Sequence, residues 1–182
     1  MSKQVLSIAA AIILTTGLVV GCSTAPTTSA ERDALTQKAL AERDLWIKAD
    51  PGIEAFAKKS EGFAFFPEIT KGGLGVGGAY GRGVVYEQNQ QIGYADVTQG
   101  SVGLQAGGQT YSELIVFENK EALDRFKKNQ FEFGANASAV IAKTGAAANA
   151  RFVNGVAVFV RPIAGAMAEA AVGGQRVTYI AK

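Results

Sequence analysis

The run Lys71–Gly83, KGGLGVGGAYGRG, contains one spacing with chemical meaning, Gly73-x-Gly75-x-x-Gly78. That pattern lets a backbone approach a pyrophosphate, provided that a strand precedes it and a helix opens at its third glycine. Here the residues that follow, Ala79–Tyr86 (AYGRGVVY), bring two more glycines and a β-branched pair, which is poor helix material. The Gly-Lys-Ser/Thr of a phosphate-binding loop occurs nowhere in the chain. Histidine is absent and cysteine occurs once, as Cys22, which removes the commonest general base and the commonest transition-metal ligand. Carboxylates remain. Glu68, Asp96 and Glu113 are the candidates for a hydrolase, but that chemistry needs two carboxylates at a set separation, which nothing in the sequence fixes. The expectation is a protein that is not an enzyme and uses no cofactor and no metal.

Cys22 has a different chemistry open to it. Met1–Cys22 reads as a targeting segment, with Lys3 as a short positive region and Val5–Val20 apolar apart from a few Ser, Thr and Gly positions. It is too short to span a bilayer stably. It closes with Val19-Val20-Gly21-Cys22, which resembles a bacterial lipobox, where the cysteine is acylated and becomes the first mature residue. Each buried methylene contributes about 0.8 kcal/mol and stable anchoring takes two or more chains; a lipoprotein cysteine carries three. Ser23 stands where inner-membrane lipoproteins commonly have Asp, which by resemblance to enterobacterial sorting points to the periplasmic face of the outer membrane. The expected organisation is a signal peptide over 1–21, the lipidated cysteine and a polar tether over 22–30, and one domain over 31–182.

Elements must position these residues. Glu31–Ala49 reads as a helix with Ser29 as N-cap and acids in its first turn. Asp50-Pro51 opens a second helix through Lys59, and Asn119 caps a third through Asn129. Gly62–Phe66 is a strand stopped by Pro67. In the glycine run, Leu74 and Val76 alternate with Gly73, Gly75 and Gly77, which is the period of a strand. The register echoes in Gly100–Gln109 and more faintly in Ile163–Gly174. Ile92–Val97 returns after a turn at Asn89-Gln90, and Ser112–Phe117, Val156–Val160 and Arg176–Ala181 are further strands. Glycine within a strand marks a bend, a bulge or close backbone approach, so Gly73, Gly75, Gly77, Gly78 and Gly103 are expected to be structural. The fold class that follows is α+β: a strongly curved, mostly antiparallel glycine-rich sheet or small barrel, flanked by about three helices, with one sheet face nearly bare of side chains.

Two motifs carry a resemblance. GFAFFP at Gly62–Pro67 followed by the run Lys71–Gly83, then GSVGLQAGGQ at Gly100–Gln109, resemble the SYLF domain, and Phe133–Ser138 (FGANAS) is similar to its next segment. The resemblance extends from about Leu35 to Lys182. It implies lipid binding and no established catalysis; relatives include yeast actin-patch regulators and phosphoinositide-binding proteins. The basic amphipathic helix linked to phosphoinositides has no match in the mixed-charge helix Glu31–Ala49, so phosphoinositide and actin specificity do not carry over.

Charge is uneven along the chain. From Cys22 to Glu118 there are 8 Lys/Arg against 12 Asp/Glu, and from Asn119 to Lys182 there are 9 against 4. An electropositive surface from the second half is expected. Lys71 and Arg82, which bracket the glycine run, together with Arg125, Lys127 and Lys128 are the candidate lipid-binding residues, meeting anionic headgroups beside the membrane to which Cys22 holds the protein. An envelope protein is the alternative partner, docked on the bare sheet face or a sheet edge. Nucleic acid is not expected. If Cys22 is acylated, Cys22→Ser releases the protein from membranes and abolishes metabolic palmitate labelling; label retained in that variant would remove the lipoprotein assignment.

Overall fold

The computed structural model describes residues 26–130, 132–133 and 139–182. Cys22, the signal segment and most of the motif Phe133–Ser138 lie outside the described residues. Helix α1 (Ser29–Ala49) is capped one residue earlier than expected. Thr28 takes that role because Glu31 stands three residues on: the Glu31 N–H donates to Thr28 Oγ1 at 3.2 Å, and the Thr28 N–H donates to Glu31 Oε2 at 3.2 Å, a reciprocal box. Helix α2 (Pro51–Lys58) starts on the Asp50 cap, whose Oδ1 accepts from the Gly52 N–H at 2.9 Å. Asp50 Oδ2 also accepts from the Ala147 N–H at 3.0 Å, fastening α2 to a one-turn helix that the sequence pattern did not show. Helix α3 (Lys120–Lys127) is capped by Asn119 as expected; the one-turn helix, α4, is Ala146–Asn149.

Three strands of unusual length make the sheet: β1 (Gly62–Glu87), β2 (Gln90–Phe117) and β5 (Val156–Ala181). β2 lies between the other two and pairs antiparallel with both along their length. Two short strands join the far side of β5, β3 (Glu132–Phe133) antiparallel and β4 (Ala139–Ile141) parallel. The described sheet therefore has five strands, four in an open path, β1-β2-β5-β3, with β4 beside β5 off that path, and among the described residues it does not close into the small barrel envisaged from the glycines. The molecule is α+β with four helices among the described residues.

Pro67 does not stop β1. It falls in a register shift between Phe66 and Ile69, where a bulge tolerates the missing N–H. The β1–β2 turn is the pair Gln88-Asn89, both left-handed at φ 47° and 66°, which suits the twist of a two-residue hairpin.

The long strands double back at their glycine-rich middles. The two ends of β1 meet: Phe63 stacks on Tyr86 with ring centroids 4.8 Å apart, and the Gln88 N–H donates to the Glu61 carbonyl at 3.0 Å. The fold-over creates two apolar layers. Between the halves of the sheet lie Phe66, Ile69, Val85, Val97, Ile115 and Val177, closed by Leu123 and Phe126 of α3. On the other face Phe65, Val84, Leu114 and Phe159 pack under α1 and α2 around Trp46 and Ile53. Close approach is what requires glycine here. A Cβ on Gly83 would lie 2.7 Å from both the Phe65 carbonyl oxygen and a Phe66 ring carbon. Gly83→Val is therefore expected to destabilise by about 1–3 kcal/mol or more, as overpacking does. Gly100→Ala, with nothing within 4 Å of its Cβ position, is expected to leave the urea midpoint unchanged. Equal midpoints for both variants would refute the doubled-back packing.

Candidate functional site

At the fold-over the alternation of the strands acquires a consequence. On β1 the even-numbered positions 72–80 and on β2 the even-numbered positions 100–108 are exposed, while Lys71, Ala79, Ser101 and Gln105 turn inward and are buried. Leu74 is 84 % exposed and Leu104 82 %, Val76 67 % and Val102 66 %. Val76 and Val102 are directly opposed in the β1–β2 register, and Leu74 is opposed to Ala106. Around them stand Gly72, Gly78, Gly100 and Gly108, with Ala164 and Ala166 beside them on β5, all exposed. Among the described residues, no charged side chain occupies these outward positions. Isolated apolar residues at a surface need no explanation, but a contiguous uncharged patch marks a site of interaction.

The patch is held in shape from within. Between Leu74 and Val76 β1 has one residue, Gly75, where β2 has three, Gly103–Gln105. Gly75 sits at φ 73°, a backbone conformation that glycine adopts without a Cβ clash. Gln105 turns inward, and its Nε2 donates to the Gly75 carbonyl at 3.3 Å and to the Ser101 carbonyl at 3.1 Å. The Ser101 hydroxyl donates to Gln105 Oε1 at 2.8 Å. This buried amide fills the inside of the bend, so the space next to it is closed: a Cβ on Gly77 would lie 2.5 Å from Gln105 Oε1, and one on Gly73 would lie 2.5 Å from the Gly77 Cα. Gly78 meets nothing closer than the Gln99 carbonyl at 3.6 Å, an ordinary contact. The nearly bare face of the sheet thus faces inward, and the face turned to solvent is the one that carries leucine and valine.

The expected basic residues are not gathered around this patch. Lys71 is buried. The Arg82 Nε donates to the Tyr80 hydroxyl at 2.7 Å, a bond that raises the guanidinium pKa. The other three belong to the end of α3. Lys127 pairs with Glu87 at 2.5 Å, at the last residue of β1, and Arg125 donates to the Asn154 carbonyl at 2.7 Å. Lys128 caps the helix and is exposed. Of the three candidate acids, Glu68 is an exposed partner of Lys38 at 3.0 Å. Asp96 and Glu113 are buried on opposite faces of β2. Asp96 shares its face with Tyr94 under the helices, and Glu113 shares its face with Ile115 between the sheet halves. Gly73, Gly75 and Gly78 lie within a strand, and the next helix along the chain is α3. Sequence reasoning missed Leu74, Val76, Val102 and Leu104, although their alternation with glycine was visible.

Residues 98–179 match the family model described as Ysc84, Las17-binding protein, actin regulator. Over that stretch the chain is similar to the SYLF family. No curated protein gave a significant match. The matched segment takes in Val102 and Leu104 on β2, α3, and β5 as far as Tyr179, and leaves out β1. It also contains Glu113 and Gln175, which link the two halves of the doubled sheet by a 2.6 Å hydrogen bond from Gln175 Nε2 to Glu113 Oε1.

Burial pushes the Glu113 carboxyl up from 4.5 to about 7, against a lowering by the Gln175 hydrogen bond. Because the folded pKa is raised, the folded state holds this proton more tightly than the unfolded state. Its contribution is most favourable below about pH 4.5, declines as pH rises to about 7, and stays at its full cost above that. At 1.36 kcal/mol per unit the cost is on the order of 3 kcal/mol. Glu113→Gln is accordingly expected to be more stable than the parent at pH 8, with the gain shrinking towards pH 4.5 in urea titrations. A gain independent of pH would show that Glu113 does not titrate in this window.

Proposed function

We propose that this SYLF domain belongs to an envelope lipoprotein, anchored through Cys22 at the periplasmic face of the outer membrane, and that it binds lipid non-catalytically by seating the glycine-rich bend on the bilayer. The observation that carries this reading is the exposed quartet Leu74, Val76, Val102 and Leu104. The SYLF family is linked to lipid binding and to actin regulation, and the first of these fits the chemistry of the patch. A protein interface draws its energy from aromatic and arginine anchors within a polar rim. This patch has only Tyr80 at its margin, 39 % exposed and bonded to Arg82; it otherwise offers aliphatic side chains among glycine and alanine. Such a surface suits a medium without directional partners. Each leucine or valine fully buried contributes about 1.5–3 kcal/mol, enough in sum for reversible docking. A tether at Cys22 would add to it by holding the domain at high local concentration. The basic residues, partnered within the molecule or distant from the bend, play a lesser part than their number suggests.

The reading is tested on full-length Cys22→Ser protein carrying an environment-sensitive nitrobenzoxadiazole label at Leu104→Cys or, as control, at Asn89→Cys in the hairpin turn. With phosphatidylcholine vesicles the label at position 104 is expected to blue-shift and the one at 89 to remain in water. The shift is expected to survive 1 M salt, where the Debye length is about 3 Å, and to be lost with Leu74→Asp. A label at 104 that stays in water while the protein is vesicle-bound would overturn the proposal, as would a shift erased by salt.

A further inference from the structure

A second feature lies away from the bend, beneath α1 and α2. It is a cavity of about 120 Å³. Its walls are mostly aromatic and aliphatic: Trp46 meets Phe65 edge-on at 5.7 Å, Phe63 stacks on Tyr86 at 4.8 Å, and Leu40, Ile53 and Leu114 are among the other lining residues. The indole N–H of Trp46 is directed away, to the Ser112 hydroxyl at 2.9 Å, and the ring, 2 % exposed, forms the floor of the cavity. The mouth is charged. Arg43 and Lys58 both reach a single oxygen of Glu54, at 3.3 and 2.9 Å. Two cations on one carboxylate leave one positive charge in excess at the entrance to an apolar pocket. Burial holds the Tyr86 hydroxyl above its ordinary range, and the Arg43 guanidinium offsets only part of that rise.

We infer that this cavity is a binding site for a single-chain amphiphile with an anionic head, a medium-chain carboxylate, with its tail against Trp46 and its carboxylate on Arg43. Convergence of an apolar pocket with a few polar groups is the usual form of a small-ligand site. The size selects the ligand: an apolar cavity of about 150 Å³ admits benzene, so this one takes the end of one chain and excludes a sterol or a diacyl lipid. The charge selects the head, because a planar guanidinium pairs with a carboxylate through two parallel hydrogen bonds. An apolar cavity left empty destabilises a core, and a chain end recovers that contact. The site is separate from the exposed bend, and neither depends on the other.

Trp46 is the sole tryptophan of the chain and forms the cavity wall, so its fluorescence reports occupancy directly. Full-length Cys22→Ser protein, titrated with 8-bromooctanoate in the absence of vesicles, is expected to show saturable quenching by the terminal bromine. Arg43→Gln, which removes an exposed ion pair of little weight in stability, is expected to weaken the carboxylate at least tenfold and to leave 8-bromooctanol unchanged. Non-saturating quenching would overturn the assignment, as would carboxylate binding indifferent to Arg43→Gln. A vesicle-binding result of either sign leaves this outcome unaffected.

Discussion

A strand of 26 residues, fully extended, spans about 86 Å at 3.3 Å per residue. A compact domain of some 150 residues has a radius of gyration of about 15 Å. Three such strands side by side cannot remain straight in a molecule of this size, and the fold follows from how they double back. The inner layer must then accept two sheet halves at close range, which is why Gly83 faces Phe65 and Phe66 without a side chain. The bend must turn within a few residues, which is why Gly75 takes a left-handed conformation and Gln105 is needed to satisfy its carbonyl. Side chains on the outside of such a bend have nothing left to pack on. The exposure of Leu74 and Leu104 is a geometric result of the same turn that builds the interior.

Local chemistry was readable and long-range partnership was not. The ends of the helices could be placed from Asp50-Pro51 and Asn119 because a cap is satisfied within three residues; the α1 cap was off by one because Thr28, not Ser29, has Glu31 at the spacing of a capping box. The strands were recognised as fragments, since Pro67 and the glycines are the usual signals of a break. Only the partner strand reveals that a bulge absorbs Pro67 and that Ile163–Gly174 continues β5 across a register shift at Ile163. The pairing of Lys127 with Glu87 spans 40 residues, and no sequence pattern announces it. Helix α4 rests on Asp50, 97 residues from its contact at Ala147, and a four-residue turn rich in alanine gives no periodicity to read.

The polar groups inside the molecule follow the same division between shaping and fastening. Glu42 on α1 accepts from the Arg161 Nε at 2.7 Å and from the Ser112 hydroxyl at 2.6 Å, and the Trp46 indole donates to that hydroxyl. One buried cluster thereby ties the helix to β2 and β5 at once. A buried ion pair of this kind is weak evidence for stability but fixes geometry, because removing either partner strands the other. Here it fixes the orientation of the indole, whose hydrogen-bonding edge is occupied and whose ring forms the floor of the cavity. Glu113 and Gln175 perform the corresponding service between the sheet halves, at the cost of a carboxyl held near neutrality.

What separates the outward leucines and valines from the rest of the apolar surface is that the fold gains nothing from them. Ile163 and Ile141 are also exposed, at 40 and 55 %, but they retain part of their contact with the sheet and its neighbours. Leu74 and Leu104 retain less than a fifth of theirs, so hydrophobic burial within the molecule cannot account for a leucine at either place. A bend built for turning alone would be served as well by serine or threonine, which fit the pleat and stay soluble. Glycine explains the shape of the bend, and the shape leaves leucine unexplained until a surface outside the molecule supplies the missing contact. That asymmetry between what the backbone requires and what the side chains offer is the physical basis for assigning the bend to binding.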